Sequence, residues 1–149
     1  MASTMEMSKT QLLKLKAYVK LMRAANAVTR RLHQYLVDYG LTISQFGILE
    51  ALYNLGPMHQ KALGQKILKT GGNITLVIDN LVKRDLVTRT QDVKDRRYTK
   101  VRLTSGGREL FEEVFPIHVA RAEEVFAALT LEEIETLGNL LKTLGTAAV

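Results

Sequence analysis

Apolar side chains recur at steps of three and four residues from about Ser8 to Asp38, which is the spacing of an amphipathic helix. These positions spread over more than one stripe, and a helix that is apolar on several sides is usually buried on several sides. Because the chain is short, we expect a second subunit to cover the additional face. The apolar positions are Leu12, Leu13, Leu15, Tyr18, Val19, Leu21, Met22, Ala25, Val28, Leu32, Tyr35 and Leu36.

The middle of the chain is predicted to form three shorter helices. Gly40 ends the first long helix at a favourable C-cap residue, and Ser44 is expected to cap the next helix. A Gly-Pro pair that begins at Gly56 breaks that helix. Further helices are predicted over about Gln60–Ile67 and, after a glycine-containing turn, over about Gly72–Lys83. Two helices joined by such a turn form a helix-turn-helix unit.

Two strand-like segments follow this unit directly. Leu86–Thr90 leads into a polar loop, and Tyr98–Leu103 returns with nearly alternating polar and apolar residues. A β-hairpin in this position is a wing. The predicted fold class is therefore mainly α with a small β-hairpin wing, which is a winged helix-turn-helix.

Two more helices are predicted at the end of the chain. The first is capped by Thr104 or Ser105 and runs to about Ala127, with a kink at Pro116. The second opens at Thr130, where the sequence Thr-Leu-Glu-Glu has the pattern of a capping box. Its single apolar stripe consists of Ile134, Leu137, Leu140, Leu141 and Leu144.

The net positive charge of the chain lies in the predicted wing and its flanks. From Lys83 to Arg108 there are nine Lys or Arg and three Asp, an excess that equals the formal net charge of +6 for all 149 residues. A localised basic patch is the electrostatic footprint of a protein that binds a polyanion. The alternative is a solvated hairpin that happens to be basic.

Composition narrows the function classes. The chain has 46% hydrophobic and 24% charged residues, as globular domains do, and no apolar run approaches the roughly 20 residues of a membrane span. It has no cysteine and no apolar secretory signal, so we expect a cytoplasmic protein without disulfides. His33, His59 and His118 lack metal-binding spacing, and no nucleophile elbow or phosphate-binding glycine loop occurs. We therefore predict no enzyme activity, no metal and no cofactor.

Three stretches, in this order, resemble the MarR family of bacterial transcriptional regulators, and the resemblance spans nearly all of the chain. Residues 42–52 look like the family's second helix, and residues 70–81 look like its recognition helix. The third stretch is the wing signature, with Asp-x-Arg at 95–97 followed by Val-x-Leu-Thr at 101–104.

The resemblance implies an obligate-type homodimer that forms through its N- and C-terminal helices. Residues 1–40 and 108–149 would then be the helical dimerisation region, and residues 41–107 the DNA-binding lobe. The resemblance also implies that the partner is double-stranded operator DNA of pseudo-palindromic sequence, bound by a regulator that is usually a repressor. A small aromatic or phenolic ligand would release the protein from that DNA.

On a helical wheel, the predicted helix over Gly72–Lys83 has an apolar side and a polar side. The polar side would enter the major groove, where Asn73 would make a bidentate contact with adenine and Lys83 would reach a phosphate. Asp79 lies on the same side but is a weaker candidate, since phosphates repel a carboxylate. Leu76 is also there, either against a thymine methyl group or in a packing contact inside the protein.

The wing carries the second set of predicted DNA contacts. By the family match, Arg97 inserts into the minor groove and Asp95 holds its guanidinium through charge-assisted hydrogen bonds. The alternative is a surface ion pair without a function. Helix N-termini near Ser44 and Gln60 are expected to bind phosphates. The predicted DNA-binding residues are Ser44, Gln60, Lys69, Thr70, Gly72, Asn73, Thr75, Leu76, Lys83, Lys94, Asp95, Arg96, Arg97 and Lys100.

The family places its ligand pocket between the first, second and fifth helices. Aromatic rings around a few polar groups suit a flat phenolic ligand, and the alternative is that these rings are simply core. The predicted lining consists of Arg30, His33, Tyr35, Tyr39, Phe46, Phe111 and Phe115. Two other functions stay open: a winged-helix module that binds proteins, and a non-specific DNA-binding module without ligand sensing.

Overall fold

A computed structural model describes residues 5–67 and 73–147 of the chain. It is mainly helical with a small antiparallel sheet, which confirms the predicted fold class. In chain order the elements are α1 (Lys9–His33), a 3-10 helix (Gln34–Tyr39), α2 (Ile43–Leu55), β1 (Met58–His59), α3 (Gln60–Ile67), α4 (Ile74–Lys83), β2 (Val87–Gln91), β3 (Thr99–Leu103), α5 (Ser105–Phe126) and α6 (Leu131–Ala147).

The first long helix is α-helical only as far as His33. Ser8 is its N-cap and forms a capping box with Gln11, in which each side chain bonds the other residue's backbone N–H. The remaining turns tighten into the 3-10 helix, and Gly40 then turns the chain at a φ of +64°. This positive φ is the reason why glycine occupies the position.

The second helix begins at a different cap from the one predicted. Thr42, not Ser44, is the N-cap of α2, and it forms a capping box with Gln45. Ser44 lies inside the first turn, so the prediction that it caps the helix is wrong. The Thr-x-x-Gln pattern at 42–45 is itself a capping-box signature and identifies the correct start.

The sheet has one more strand than the sequence pattern predicted. Its order is β1-β3-β2, with both pairings antiparallel. The hairpin of β2 and β3 is the predicted wing, whereas β1 pairs Met58 with Val101 and His59 with Lys100. A strand of two residues is too short to show alternation. It joins the wing to the segment that leads directly into α3.

The start of α5 is packed closely under the wing. The Thr104 hydroxyl accepts the N–H of Gly107 at 3.0 Å and donates to the carbonyl of Asp85 at 2.6 Å. A Cβ atom at Gly107 would lie only 2.0 Å from the carbonyl oxygen of Leu86, so no larger residue fits there without a backbone shift. At the other end of the chain, Thr130 and Glu133 form the predicted capping box of α6.

Contacts divide the chain into two units, Tyr35–Ala120 and a unit of Met1–Gln34 with Arg121–Val149. The first unit contains the core, and ten of its side chains are almost completely buried. Burial of a side chain of this size contributes about 1.5–3 kcal/mol. These residues are Leu36, Ile48, Leu49, Leu63, Ile78, Leu81, Val87, Val101, Phe111 and Val114.

The second unit has a different character. Among the described residues, neither α1 nor α6 contains a buried side chain. Many of their apolar residues are instead open to solvent, including Leu13 at 69% and Leu140 at 63% exposure. No helix in residues 5–67 and 73–147 is both long and apolar enough to cross a membrane.

Candidate nucleic-acid interface

The helix α4 has the two sides that the helical wheel predicted. Ile78 and Leu81 are fully buried and Ile74 and Val77 pack against the core, whereas Leu76 is 54% exposed. A packing contact inside the protein does not account for a side chain that is more than half exposed. A contact with DNA therefore stays a prediction for Leu76.

Asn73 fixes the start of this helix. It is the N-cap, and its Oδ1 accepts the N–H of Leu76 at 3.1 Å. An amide oxygen has two lone pairs, so capping and a contact with adenine are compatible. Lys69, Thr70 and Gly72, which were also predicted to contact DNA, lie outside the described residues.

Two of the predicted site residues join the helices of the helix-turn-helix unit. The Gln60 amide Nε2 donates to the Thr75 hydroxyl at 3.0 Å, which links the first turn of α3 to the first turn of α4. Gly64 allows close approach on the same side, because a Cβ there would already touch Ile74 at 3.4 Å. These contacts set the angle at which α4 projects from the lobe.

An ion pair that the sequence analysis missed neutralises the acidic residue of α4. Asp79 accepts a hydrogen bond from the guanidinium of Arg89 on β2, and both side chains are partly exposed. Repulsion by phosphates was the argument against a role for Asp79, and the paired arginine weakens that argument. Asp79 and Arg89 line an open cleft between α4 and β2 together with Val82, Lys83 and Thr88.

The tip of the wing holds an exposed arginine in a fixed direction. Asp95 binds the guanidinium of Arg97 through two bonds, Nε to Oδ1 at 3.0 Å and a terminal nitrogen to Oδ2 at 2.7 Å. The Asp95 carboxylate also accepts the backbone N–H of Arg97 at 3.1 Å. These bonds hold the pKa of Asp95 below its usual value and raise the pKa of Arg97. The Arg97 side chain is nevertheless 82% exposed, so the charge is presented to solvent.

A second carboxylate anchors the base of the wing. Asp92 accepts a hydrogen bond from the imidazole of His59 and a bond from the backbone N–H of Lys94. The hydrogen bond from His59 is the main cause that lowers the pKa of Asp92 to about 2. The His59 ring also stacks on Tyr98, with ring centroids 4.9 Å apart. The sequence alone offered no signal for this cluster, because its members come from β1, the loop and the residue before β3.

Aromatic rings predicted to line a ligand pocket gather inside the unit 35–120. Phe46 lies 5.8 Å from Phe111, and Phe111 lies 5.2 Å from Phe115. Tyr35 bonds the Nδ1 of His118 through its hydroxyl at 3.1 Å, and burial is the largest cause that raises the pKa of Tyr35 to about 12. His118 was not among the predicted residues, although its ring centre is only 4.6 Å from that of Phe46.

The other predicted lining residues are placed as follows. Tyr39 lies at the edge of this cluster, 6.4 Å from Tyr35. Arg30 and His33 belong to the other unit, where the Nδ1 of His33 bonds the carbonyl oxygen of Thr29 at 2.9 Å. Among the residues that the structure describes, no group of His, Asp and Glu side chains could hold a metal ion.

Comparisons with known proteins agree with this geometry. A family model described as MarR family matches residues 41–99. Over 134 residues the chain is 34% identical to the HTH-type transcriptional regulator MhqR of Bacillus subtilis (strain 168), covering 90% of this chain and 92% of that protein.

Two solved structures extend the likeness to three dimensions. A mutant of MarR from E. coli in complex with operator DNA superimposes with a TM-score of 0.76 at 26% identity, covering 93% of this chain and 99% of that one. Bordetella bronchiseptica BpsR, whose DNA binding is regulated by 6-hydroxynicotinic acid, gives a TM-score of 0.77 at 28% identity, covering 87% and 98%.

Fold and surface together define a winged-helix protein that binds DNA. The chain belongs to the MarR family of transcriptional regulators. This confirms the resemblance noted in the sequence. The relatives are named as regulators, so the chain is a regulator and not an enzyme, as predicted.

Proposed function

We propose that this chain is a cytoplasmic repressor that binds a pseudo-palindromic operator as a homodimer and leaves it when a small aromatic ligand binds. The observation that carries the proposal is the Arg97 guanidinium, which is held in one direction by Asp95 and yet 82% exposed. A guanidinium presented in this way suits a narrow minor groove, where the negative potential is strongest. The adjacent α4 has the dimensions to enter a major groove.

The proposed dimer rests on the apolar residues of α1 and α6. Leu13 and Tyr18 of α1 are 69% and 60% exposed, and Leu140 and Leu144 of α6 are 63% and 56% exposed. Extensive exposed apolar surface marks an interaction site rather than a surface adapted to water. A symmetric dimer would present two copies of α4 to successive major grooves, which requires an operator with two-fold symmetry.

The proposed ligand response rests on the aromatic cluster around Phe46 and Phe111. The cluster offers flat rings and a polar pair, Tyr35 and His118, which a phenolic hydroxyl or carboxylate could enter by replacing their mutual bond. The regulation of BpsR by 6-hydroxynicotinic acid, a small aromatic acid, supports the same ligand class. Such a ligand can release DNA only if it prefers dimers whose recognition helices are wrongly spaced.

The DNA half of the proposal is tested by selection. The full-length protein is used to enrich duplexes from a randomised library, and the dissociation constant of the recovered duplex is compared with that of a scrambled duplex at fixed salt. Arg97→Ala should cost about 1–3 kcal/mol on the recovered duplex. Lys94→Ala or Lys100→Ala should instead weaken binding to both duplexes and lower the salt slope by about one.

Three results would contradict this half. Equal affinity for the recovered and scrambled duplexes would make the chain a non-specific DNA-binding module. Absence of binding to either would favour the protein-interaction reading. Wild-type affinity in the Arg97 variant would refute the role assigned to that residue.

The ligand half is tested by titration of salicylate and catechol with the free protein and with the protein bound to the recovered duplex. Linkage requires that DNA weaken ligand binding by the same factor by which the ligand weakens DNA binding. Equal ligand affinity in both states, or no binding across a panel of aromatic compounds, would leave a constitutive DNA binder.

A further inference from the structure

The wing is attached to the helix-turn-helix unit through one histidine. The Nε2 of His59 lies 2.5 Å from Oδ2 of Asp92, and because Asp92 is ionised, the imidazole must be the donor. His59 is the last residue of β1 and directly precedes α3. The bond therefore connects the start of the helix-turn-helix unit to the loop between β2 and β3.

The Asp92 carboxylate passes this connection on towards the tip of the wing. Its other oxygen, Oδ1, accepts the backbone N–H of Lys94 at 2.8 Å and that of Asp95 at 3.4 Å. Asp95 in turn holds the guanidinium of Arg97. A continuous series of hydrogen bonds thus runs from His59 to the arginine that is proposed to enter the minor groove.

A ring contact reinforces the same path. The rings of His59 and Tyr98 are stacked with an interplanar angle of 7°, and the guanidinium carbon of Arg97 lies 5.9 Å from the centre of the Tyr98 ring. This distance is within the range of a cation–π contact. His59 thus supports Arg97 from two sides, through the Asp92 carboxylate and through the Tyr98 ring.

We propose that His59 is a positioning residue for operator recognition, which fixes through Asp92 the direction in which Arg97 projects from the wing. The proposal rests on the proposed function of Arg97. The competing explanation is that His59 only stabilises the fold, or that it contacts a phosphate directly. Both alternatives predict effects that do not depend on whether Arg97 is present, because residues act additively unless they belong to one network.

The experiment is a double-mutant cycle with the full-length protein and the duplex recovered from the randomised library. His59→Ala should weaken binding to that duplex about three- to tenfold, the range expected for coupled residues of one hydrogen-bond network. In the Arg97→Ala background the same change should weaken binding less than about twofold. A matched cycle of His59→Ala with Lys61→Ala, an exposed base at the start of α3, should be additive.

Two further variants separate positioning from stability. His59→Gln retains a donor for Asp92 and should recover most of the lost affinity, whereas His59→Phe retains only the stacked ring and should not. Thermal unfolding of each variant is measured alongside, and the affinities should follow the hydrogen bond to Asp92 rather than the unfolding temperature.

The outcomes distinguish this inference from the proposed function. If the wild type does not prefer the recovered duplex, or if Arg97→Ala has no effect, the proposed function fails first. If Arg97→Ala weakens binding but His59→Ala does not, or if the two effects add, the positioning role of His59 is refuted while the function stands.

Discussion

The unit 35–120 and the outer helices α1 and α6 use apolar side chains in opposite ways. In the first, Ile48, Leu63 and Val101 are inaccessible to solvent, and the core is closed by the chain's own residues. In the described parts of the outer helices no side chain is buried, although leucines are frequent there. Apolar content therefore does not show where a core is, since it also marks surface that another subunit can cover.

The largest expected effect tests whether the core of 35–120 is self-sufficient. Phe111 is 2% exposed and contacts the rings of Phe46 and Tyr53, so Phe111→Ala should lower the free energy of unfolding by about 3–5 kcal/mol. Phe115→Ala is the matched control, since Phe115 is 39% exposed and should cost clearly less. Urea unfolding followed by circular dichroism measures both, and equal losses would show that Phe111 is not a core residue.

The second prediction concerns the outer helices. Leu13→Asp places a carboxylate on the exposed face of α1 and should weaken the proposed dimer by about 2 kcal/mol or more. Sedimentation equilibrium measures the change, and the wild type should also unfold at a temperature that rises with protein concentration. Val93→Asp, at a wing residue that is 97% exposed, is the control and should leave assembly unchanged. A wild-type chain that sediments as a stable monomer would contradict the comparison.

A pair of adjacent glycines sharpens the contrast within the closed unit. A Cβ at Gly107 would meet the Leu86 carbonyl oxygen at 2.0 Å, whereas one at Gly106 would lie 3.5 Å from the Asp85 carbonyl. Gly107→Ala should therefore destabilise the fold by about 1–3 kcal/mol through overpacking, and Gly106→Ala should not. Calorimetry of the two variants tests this. Equal unfolding temperatures would mean that the wing and α5 are loosely joined.

The sequence predicted the helices, the hairpin and the polar side of α4 because each depends on local periodicity. It also predicted the capping box at Thr130, since four consecutive residues define that motif. It misplaced the cap of α2 because Ser44 and Thr42 are both good capping residues, and the position of Gln45 decides between them.

Contacts between distant residues were beyond the sequence pattern. The pair of Asp79 and Arg89 and the bond from His59 to Asp92 join residues on different elements, and nothing in their local sequence identifies the partner. The burial of Phe111 beside the half-exposed Phe115 is of the same kind. Helical periodicity places both on one helix, but only the packed fold shows which ring closes the core.

The smallest expected effect is a loss of stability in acid that arises at the base of the wing, within the unit 35–120. The hydrogen bond from His59 lowers the folded-state pKa of Asp92 from 3.8 to about 2. A carboxylate with a lowered folded-state pKa contributes stability above its unfolded value, and that contribution is lost as the pH falls towards the folded value. The unfolding temperature of the wild type should therefore decrease between about pH 4 and pH 2, and Asp92→Asn should reduce the decrease. Asp38→Asn, at an exposed aspartate of the 3-10 helix, is the control. The same acid profile in the Asp92 variant and the wild type would mean that the His59–Asp92 bond does not stabilise the folded unit.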